Sequence, residues 1–442
     1  MADLPRKLGL FDSLSIVIGV IIGAGIFLVP NLVASQLKSS PAILAVWVFA
    51  GVISFFGALA CAELGTMFPA TGGQYVFLRE SWGPLVGFLC GWSMFLIART
   101  AQVAWLAVTL ALYVSYFVPL SGAASKLIGL GAIAVFTGIN YWGATTGAFV
   151  QKLFTLAKVV GLLAIIASAL LWTGSTAASP PPAAGGFSLA GFGTALIACV
   201  LACDGWVQLS FVAGEIRNPR RNILLALALG TAICIAIYLL ANVAYLRVLT
   251  IPEIAASNHV GADLAQRVLG SAGGKLISLI ILISIVGTLN GCFLTSPRIY
   301  FAQARDGLFF RRFGTVHPRH QTPAFAVVLQ GLWAAVLMVS GGYESLLDYA
   351  MFALWLSYGA MVAGVIVLRI KRPDLSRSYR MWGYPATAIL FLAITAWFLG
   401  NMIVTRPAPS LIATGLIAAG IPVYFFWTRS QSASEPDAIA LE

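Results

Sequence analysis

The chain has 442 residues, a net charge of +11, 60% apolar residues and only 9% charged ones, where a soluble domain carries about 25% charged residues. That composition excludes a water-soluble globular fold, because it cannot furnish a polar surface. The positive charge does not mark a nucleic-acid binder either, since the basic residues sit in short segments between apolar stretches.

A helix that crosses a bilayer needs about 20 apolar residues. Twelve stretches qualify, at 12-36, 42-66, 84-117, 127-142, 148-173, 189-214, 223-246, 273-301, 324-340, 346-369, 384-404 and 409-427. The first is too long and too glycine-rich for a removable secretory signal. It reads IVIGVIIGAGIFLVP from Ile16 to Pro30, with Gly19, Gly23 and Gly25 inside the span. Each glycine costs a helix roughly 1 kcal/mol against alanine, and unwound backbone in lipid is tolerated only where it lines a cavity. The break therefore predicts a site, with half-helix N–H groups suited to a carboxylate. The competing reading is that Gly23 and Gly25 only let helices pack closely.

Span three contains Arg99 and span five contains Lys158, and a charge at that depth points to function by default. A guanidinium keeps its proton, so Arg99 needs a partner, with Asp204 and Glu63 as candidates. It either forms a structural pair or lines a vestibule and biases which side chains pass. Span six repeats the defect of span one, with Asp204 and Gly205 amid apolar residues. Breaks five spans apart predict two inverted five-helix repeats, with substrate bound at the paired broken helices.

All six cysteines, Cys61, Cys90, Cys199, Cys203, Cys234 and Cys292, fall in spans, which argues against a disulfide framework. His259, His317 and His320 fall in loops, so no intramembrane metal centre or histidine-based catalytic site can be assembled, and no cofactor is expected. An enzyme is disfavoured on the same ground. With the N-terminus cytoplasmic and residues near a span's end counted with the adjoining loop, 18 of the 26 Lys and Arg fall on the cytoplasmic side, six outside and two, Arg99 and Lys158, deep within spans. The positive-inside rule then places both termini in the cytoplasm of a cell whose plasma (inner) membrane holds the protein. The longest external connections are a Pro/Gly/Ala/Ser-rich linker at 174-188 and the segment 247-275, in which 261-269 has helical periodicity. The organisation is a cytoplasmic N-terminus at 1-10, repeats at 11-173 and 189-370, a cytoplasmic loop at 371-383, helices eleven and twelve at 384-428, and a disordered cytoplasmic tail at 429-442.

Several motifs resemble the amino acid–polyamine–organocation superfamily, and within it the L-type amino acid transporter branch. They are Gly23-Ala24-Gly25-Ile26-Phe27, then Glu63-Leu64-Gly65 with Phe68 to Val76 (FPATGGQYV) and Gly87 to Trp92 (GFLCGW). Asp204-Gly205-Trp206 with Glu215 to Pro219 and Arg221-Asn222-Ile223, and Ala304 to Phe309 with Thr322-Pro323, continue the series in order. The resemblance implies an all-α membrane protein with the leucine-transporter-type 5+5 inverted repeat, broken helices 1 and 6, and two further C-terminal helices. It implies a secondary transporter of amino acids.

By position, the resemblance gives the substrate carboxylate to the N–H groups around Ala24, Gly25 and Ile26, and the ammonium to the carbonyls of Ile21, Leu201 and Ala202, with Gly23 in the same substrate-binding set. Asp204 and Gly205 join the same site. Lys158 matches a family lysine that braces the first helix in place of sodium; it could also shuttle a proton, which leaves amino acid exchange and proton symport both open. Relatives often have an aromatic gate where this chain has Leu201, and some have tryptophan at Cys292; Trp206, Phe27 and Trp355 are the possible replacements. No pair of acidic residues lines the site, so a neutral amino acid is the default. Asp204 alone favours a cation weakly, which keeps a permease for cationic amino acids or polyamines as an alternative, beside a sensor that binds without net transport. A gating role at the inner side falls to Glu215 or Asp306, pairing with an arginine among Arg217, Arg220, Arg221 and Arg305. The cysteine that links an ancillary glycoprotein in the mammalian heteromeric relatives is absent from the loop Pro119 to Lys126, so no disulfide-linked subunit is expected.

Overall fold

The computed structural model describes residues 4-174, 188-257, 259-340 and 343-432. Among these residues the regular structure is helical, with one isolated parallel bridge joining Leu8 and Ile216. In chain order the helices are α1 (Leu10–Ile21), α2 (Gly25–Gln36), α3 (Ser40–Met67), α4 (Gln74–Trp82), α5 (Pro84–Ser93) and, after a π-helical turn at Met94–Ala98, α6 (Arg99–Val114). There follow α7 (Gly122–Tyr141), α8 (Ala144–Leu171), α9 (Leu189–Ala202), the short α10 (Gln208–Phe211), α11 (Pro219–Val248), α12 (Ile251–Ala256), α13 (Val260–Leu269) and α14 (Ser271–Thr295). The last are α15 (Pro297–Arg305), α16 (Ala324–Ser340), α17 (Tyr343–Lys371), α18 (Ala386–Thr405), α19 (Pro407–Ala418) and α20 (Gly420–Ser432).

Among the described residues ten helical stretches are long and apolar enough to cross a membrane, and α9 and α16 are shorter apolar helices. Five of the expected spans are divided. Span one breaks at residues 22-24, span three carries the π turn, span six stops at Ala202, span eight bends at Ser296, where Pro297 supplies no N–H to the ladder, and span twelve is interrupted at Ala419 between α19 and α20. The expected surface helix at 261-269 is α13, whose Val260, Leu264 and Ala265 are buried against the bundle while its charged face stays out. The linker at 174-188 lies outside the described residues apart from its two end positions, as does the tail beyond Ser432. Up to Ser432 the tail reading is corrected: α20 packs Tyr424 on Phe88 and Trp427 on Phe309, and its backbone ladder carries on to Ser432.

The core is arranged around α1, which packs on α8, α11 and α14, and around α2, which packs on α9. One end of the bundle gathers basic loops. There Leu8 exchanges backbone hydrogen bonds with Glu215 (2.9 Å) and Arg217 (2.8 Å), and Lys7 donates to Gln321 Oε1 at 2.7 Å. At the other end Asn31 donates to the Ser257 carbonyl (2.9 Å) and Arg267 pairs with Glu253.

Candidate functional site

The chain leaves α1 at Ile21 and re-enters a helix at Gly25, and between them Gly23 N–H donates to the Ile21 carbonyl at 2.8 Å. As the cap and first turn of α2, Ala24, Gly25 and Ile26 have no intrahelical acceptor for their N–H groups. No other hydrogen-bond acceptor among the described residues takes them. In span six α9 ends at Ala202, and Gly205 follows at φ +131°, a conformation that favours glycine.

The two breaks interlock through glycine. A Cβ on Gly25 would lie 2.8 Å from Ala202 Cβ and 2.9 Å from Ala202 Cα, and one on Gly205 would lie 3.0 Å from Ile21 N. Close packing thus accounts for Gly25. It does not account for Gly23, where a Cβ would sit at an ordinary 3.4 Å from Thr288 Oγ1.

Between the breaks lies a cavity of about 250 Å³. It brings together Ile21, Gly23, Ala24, Gly25, Leu201, Ala202 and Asp204 from the expected set, joined by Gln102, Trp105 and Thr288, which sequence reasoning missed. Gln102 had a signal: it stands one helical turn after Arg99. Ile26, Gly205, Lys158, Arg99, Trp206 and Cys292 do not line the cavity. The carbonyls expected to take an ammonium are already partly engaged. Ile21 O accepts from Gly23 N–H (2.8 Å), the single proton of Tyr238 OH is shared between Ile21 O (2.7 Å) and Ala202 O (3.2 Å), and Leu201 O accepts from Asp204 N at 3.2 Å. Leu201 O and Ala202 O each keep a free lone pair, whereas Ile21 O keeps one only when Tyr238 turns to Ala202.

Lys158 is buried below the first break, and its ammonium donates to Gly19 O (2.8 Å), Ile22 O (2.8 Å) and Ser284 O (2.9 Å). Three donors meet three acceptors, so the charge is held by main chain with no carboxylate. Ser284 Oγ supplements the brace by donating to Ile22 O at 2.8 Å, and Thr288 Oγ1 by donating to Gly19 O at 3.3 Å.

Arg99 is fully buried. It donates to Gln102 Oε1 (2.9 Å) and Tyr358 OH (3.1 Å) and lies over the Phe211 ring at 5.2 Å. Tyr358 in turn donates to Asp204 Oδ2 at 3.2 Å, so of the two expected partners Asp204 is linked to Arg99 through a hydroxyl. Glu63 is not a partner. It is bonded to Arg369 at 2.6 Å and 3.0 Å and to the Met381 N–H at 2.5 Å, and so fastens the loop after α17.

Trp206, which does not line the cavity, packs tilted on Tyr358 and edge-on to Phe391, and Trp355 stacks on Phe391 and Phe398. Cys292 Sγ lies 3.7 Å from Gln208 and from Gln102. Phe27 lines a separate cavity of about 340 Å³ at the end away from the basic loops. At the basic end Glu215 pairs with Arg298 (2.7 Å) and Asp306 with Arg79 and Tyr75, partners other than the four arginines expected. Burial and the Asp306 carboxylate raise the Tyr75 phenol above its usual range, so it remains a donor. Among the described residues no group of His, Cys, Asp and Glu could hold a metal, and the six cysteines are buried and unpaired.

The profile of the amino acid permease family matches residues 8–427. The chain is 34% identical over 429 residues to the serine/threonine exchanger SteT of Bacillus subtilis (strain 168), a match covering 96% of this chain and 97% of that one. It is 31% identical over 454 residues to the human b(0,+)-type amino acid transporter 1, with 100% and 92% covered. It is 32% identical over 433 residues to the human cystine/glutamate transporter, with 96% and 86% covered.

Proposed function

The chain belongs to the amino acid permease family, and on that premise we propose that it is a sodium-independent exchanger of neutral L-amino acids that works by alternating access. Its family and its relatives are transporters, not enzymes, and it is an integral multi-pass membrane protein. The observation that carries the reading is the break in span one. Three N–H groups without acceptors, at Ala24, Gly25 and Ile26, open the second half-helix, Ala24 and Gly25 line the cavity, and Ile21, Leu201 and Ala202, whose carbonyls would take the ammonium, border it. An amino acid is a zwitterion, and donors on one break with acceptors on the other suit its two charges.

Lys158 supports sodium independence, because a fixed cation already occupies the carbonyls of the broken helix. Its three main-chain bonds favour a brace over a proton carrier, and so exchange over symport. The two breaks five spans apart support a 5+5 inverted repeat followed by two further helices, twelve spans in all. The basic loops tied together at one end support an orientation with both termini in the cytoplasm. Six buried, unpaired cysteines support action without a disulfide-linked subunit.

The test is uptake of labelled amino acids into proteoliposomes without sodium, empty or preloaded with unlabelled amino acid, with and without a pH gradient. Uptake confined to preloaded vesicles is expected. Accumulation in empty vesicles driven by inward protons would replace exchange with symport, and binding without uptake under any condition would make the protein a sensor.

A further inference from the structure

We propose that Asp204 and Gln102 read the substrate's side chain, and that Arg99, acting through Tyr358, sets this pair for a neutral side chain that both donates and accepts a hydrogen bond. The inference rests on the transporter reading above and names the substrate class for the same cavity: hydroxyl and carboxamide side chains.

The argument starts at the π turn Met94–Ala98, which shifts the phase of span three immediately before Arg99. The guanidinium, fully buried, has donors only. The group of Gln102 that faces it at 2.9 Å is therefore the amide oxygen, and Gln102 keeps its NH₂ to give. On the other arm Tyr358 OH accepts from Arg99 at 3.1 Å and spends its single proton on Asp204 Oδ2 at 3.2 Å. The second carboxylate oxygen, Asp204 Oδ1, is buried and has no hydrogen-bond partner. Both Asp204 and Gln102 line the cavity between the breaks. Two residues of the cavity wall thus stand at the two arms of one guanidinium, Asp204 with an unpartnered carboxylate oxygen and Gln102 with an NH₂ that Arg99 cannot engage.

The charges decide what fits. Arg99 offsets Asp204 through one hydroxyl, so a neutral side chain adds no uncompensated charge, whereas a cationic one brings a net positive charge into a dry space. An aliphatic side chain of the same shape would exclude water and leave Asp204 Oδ1 and Gln102 Nε2 unpaired. Sites built to hydrogen-bond a hydroxyl discriminate strongly against the analogue that lacks it. Asp204 and Gln102 are the specificity-determining residues, and Arg99 and Tyr358 are positioning residues.

The experiment is competition against exchange in proteoliposomes preloaded with mixed amino acids, using threonine, its near-isostere valine, glutamine and 2,4-diaminobutyrate. In the unmodified protein, threonine and glutamine are expected to compete at least about tenfold better than valine. Asp204→Asn should flatten the threonine-to-valine ratio. Tyr358→Phe keeps the ring and cuts the link to Arg99, and should shift the ranking of diaminobutyrate against threonine at least about tenfold toward the cation, a change that loss of packing alone would not produce. Equal competition by threonine and valine in the unmodified protein overturns the inference without any variant, as does an unchanged ranking in an active Tyr358→Phe protein. Exchange of all neutral amino acids alike overturns this inference and leaves the transporter reading standing; no exchange of any amino acid overturns both.

Discussion

Lys158 and Arg99 are both buried in the middle of the bundle, yet one is held by main chain and the other by side chains. Lys158 meets three backbone carbonyls, two of them in or beside the first break, and nothing in that set can change identity by mutation. Arg99 meets Gln102, Tyr358 and the Phe211 ring, all of them replaceable. Burying a charge in an apolar bundle is costly unless its donors are matched. The difference teaches that a cation tied to carbonyls sets the shape of the broken helix, while a cation tied to side chains sets what the cavity offers to a ligand.

The largest effect is expected at the main-chain cation. Lys158→Met removes three charge-assisted hydrogen bonds, each worth roughly 1.5–3 kcal/mol. Exchange should fall below about 1% of the original rate, with a lower melting temperature in detergent; an active, equally stable variant would show that the brace is dispensable. A subtler version of the same break is Gly287→Ala. Its Cβ would lie 2.9 Å from Lys158 Cε and 3.0 Å from Nζ, and overpacking of that kind costs about 1–3 kcal/mol. Exchange slowed about tenfold with intact protein is the expected result, and unchanged kinetics would mean that the ammonium has room to shift.

The smallest effect lies far from both cations, where Glu253 caps α12 and pairs with Arg267 at 2.6 Å. The Arg267 guanidinium and the Thr250 N–H hold this carboxyl down to about 2, from an ordinary 4.5. A depressed carboxyl stabilises the folded state above its unfolded pKa, and the contribution fades as pH falls from about 4.5 toward 2. The pair is about a third exposed, so Glu253→Gln should cost under about 1 kcal/mol at neutral pH. Melting curves of the two proteins should converge as pH falls toward 2; a gap that persists there would assign the effect to the helix cap alone.

The sites of the breaks were legible because glycine and an acidic residue stand out in apolar spans. Residues 22-24 and 203-207 interrupt their helices near Gly23 and Gly205. That the chain is an all-helical, multi-pass membrane protein was legible in its composition, because apolar runs of about 20 residues have few alternatives. The partners that complete the site were not. Tyr238, Ser284 and Tyr358 come from helices that are apolar around most of their circumference, and such a helix has no polar face from which to read its rotation. Sequence reasoning found Arg99 and Asp204 and could pair them, but the hydroxyl between them belongs to α17, some 150 residues away in the chain. Glu63 stood beside Asp204 as a candidate partner of Arg99 because its own partners, Arg369 and Arg377, enter from the end of α17 and the loop beyond it.

The glycine contacts between the two breaks divide what protein engineering can and cannot rewrite in this cavity. Gly25 faces the Ala202 Cα, and Gly205 faces the Ile21 nitrogen. No second substitution can trim a backbone atom, so a larger residue at either glycine has no compensating partner. Gln102, Trp105 and Asp204 border the same space with side chains alone. If the cavity binds amino acids as proposed, a library built on those three positions exchanges one side-chain preference for another, while the main chain proposed to hold the amino and carboxyl groups stays beyond its reach.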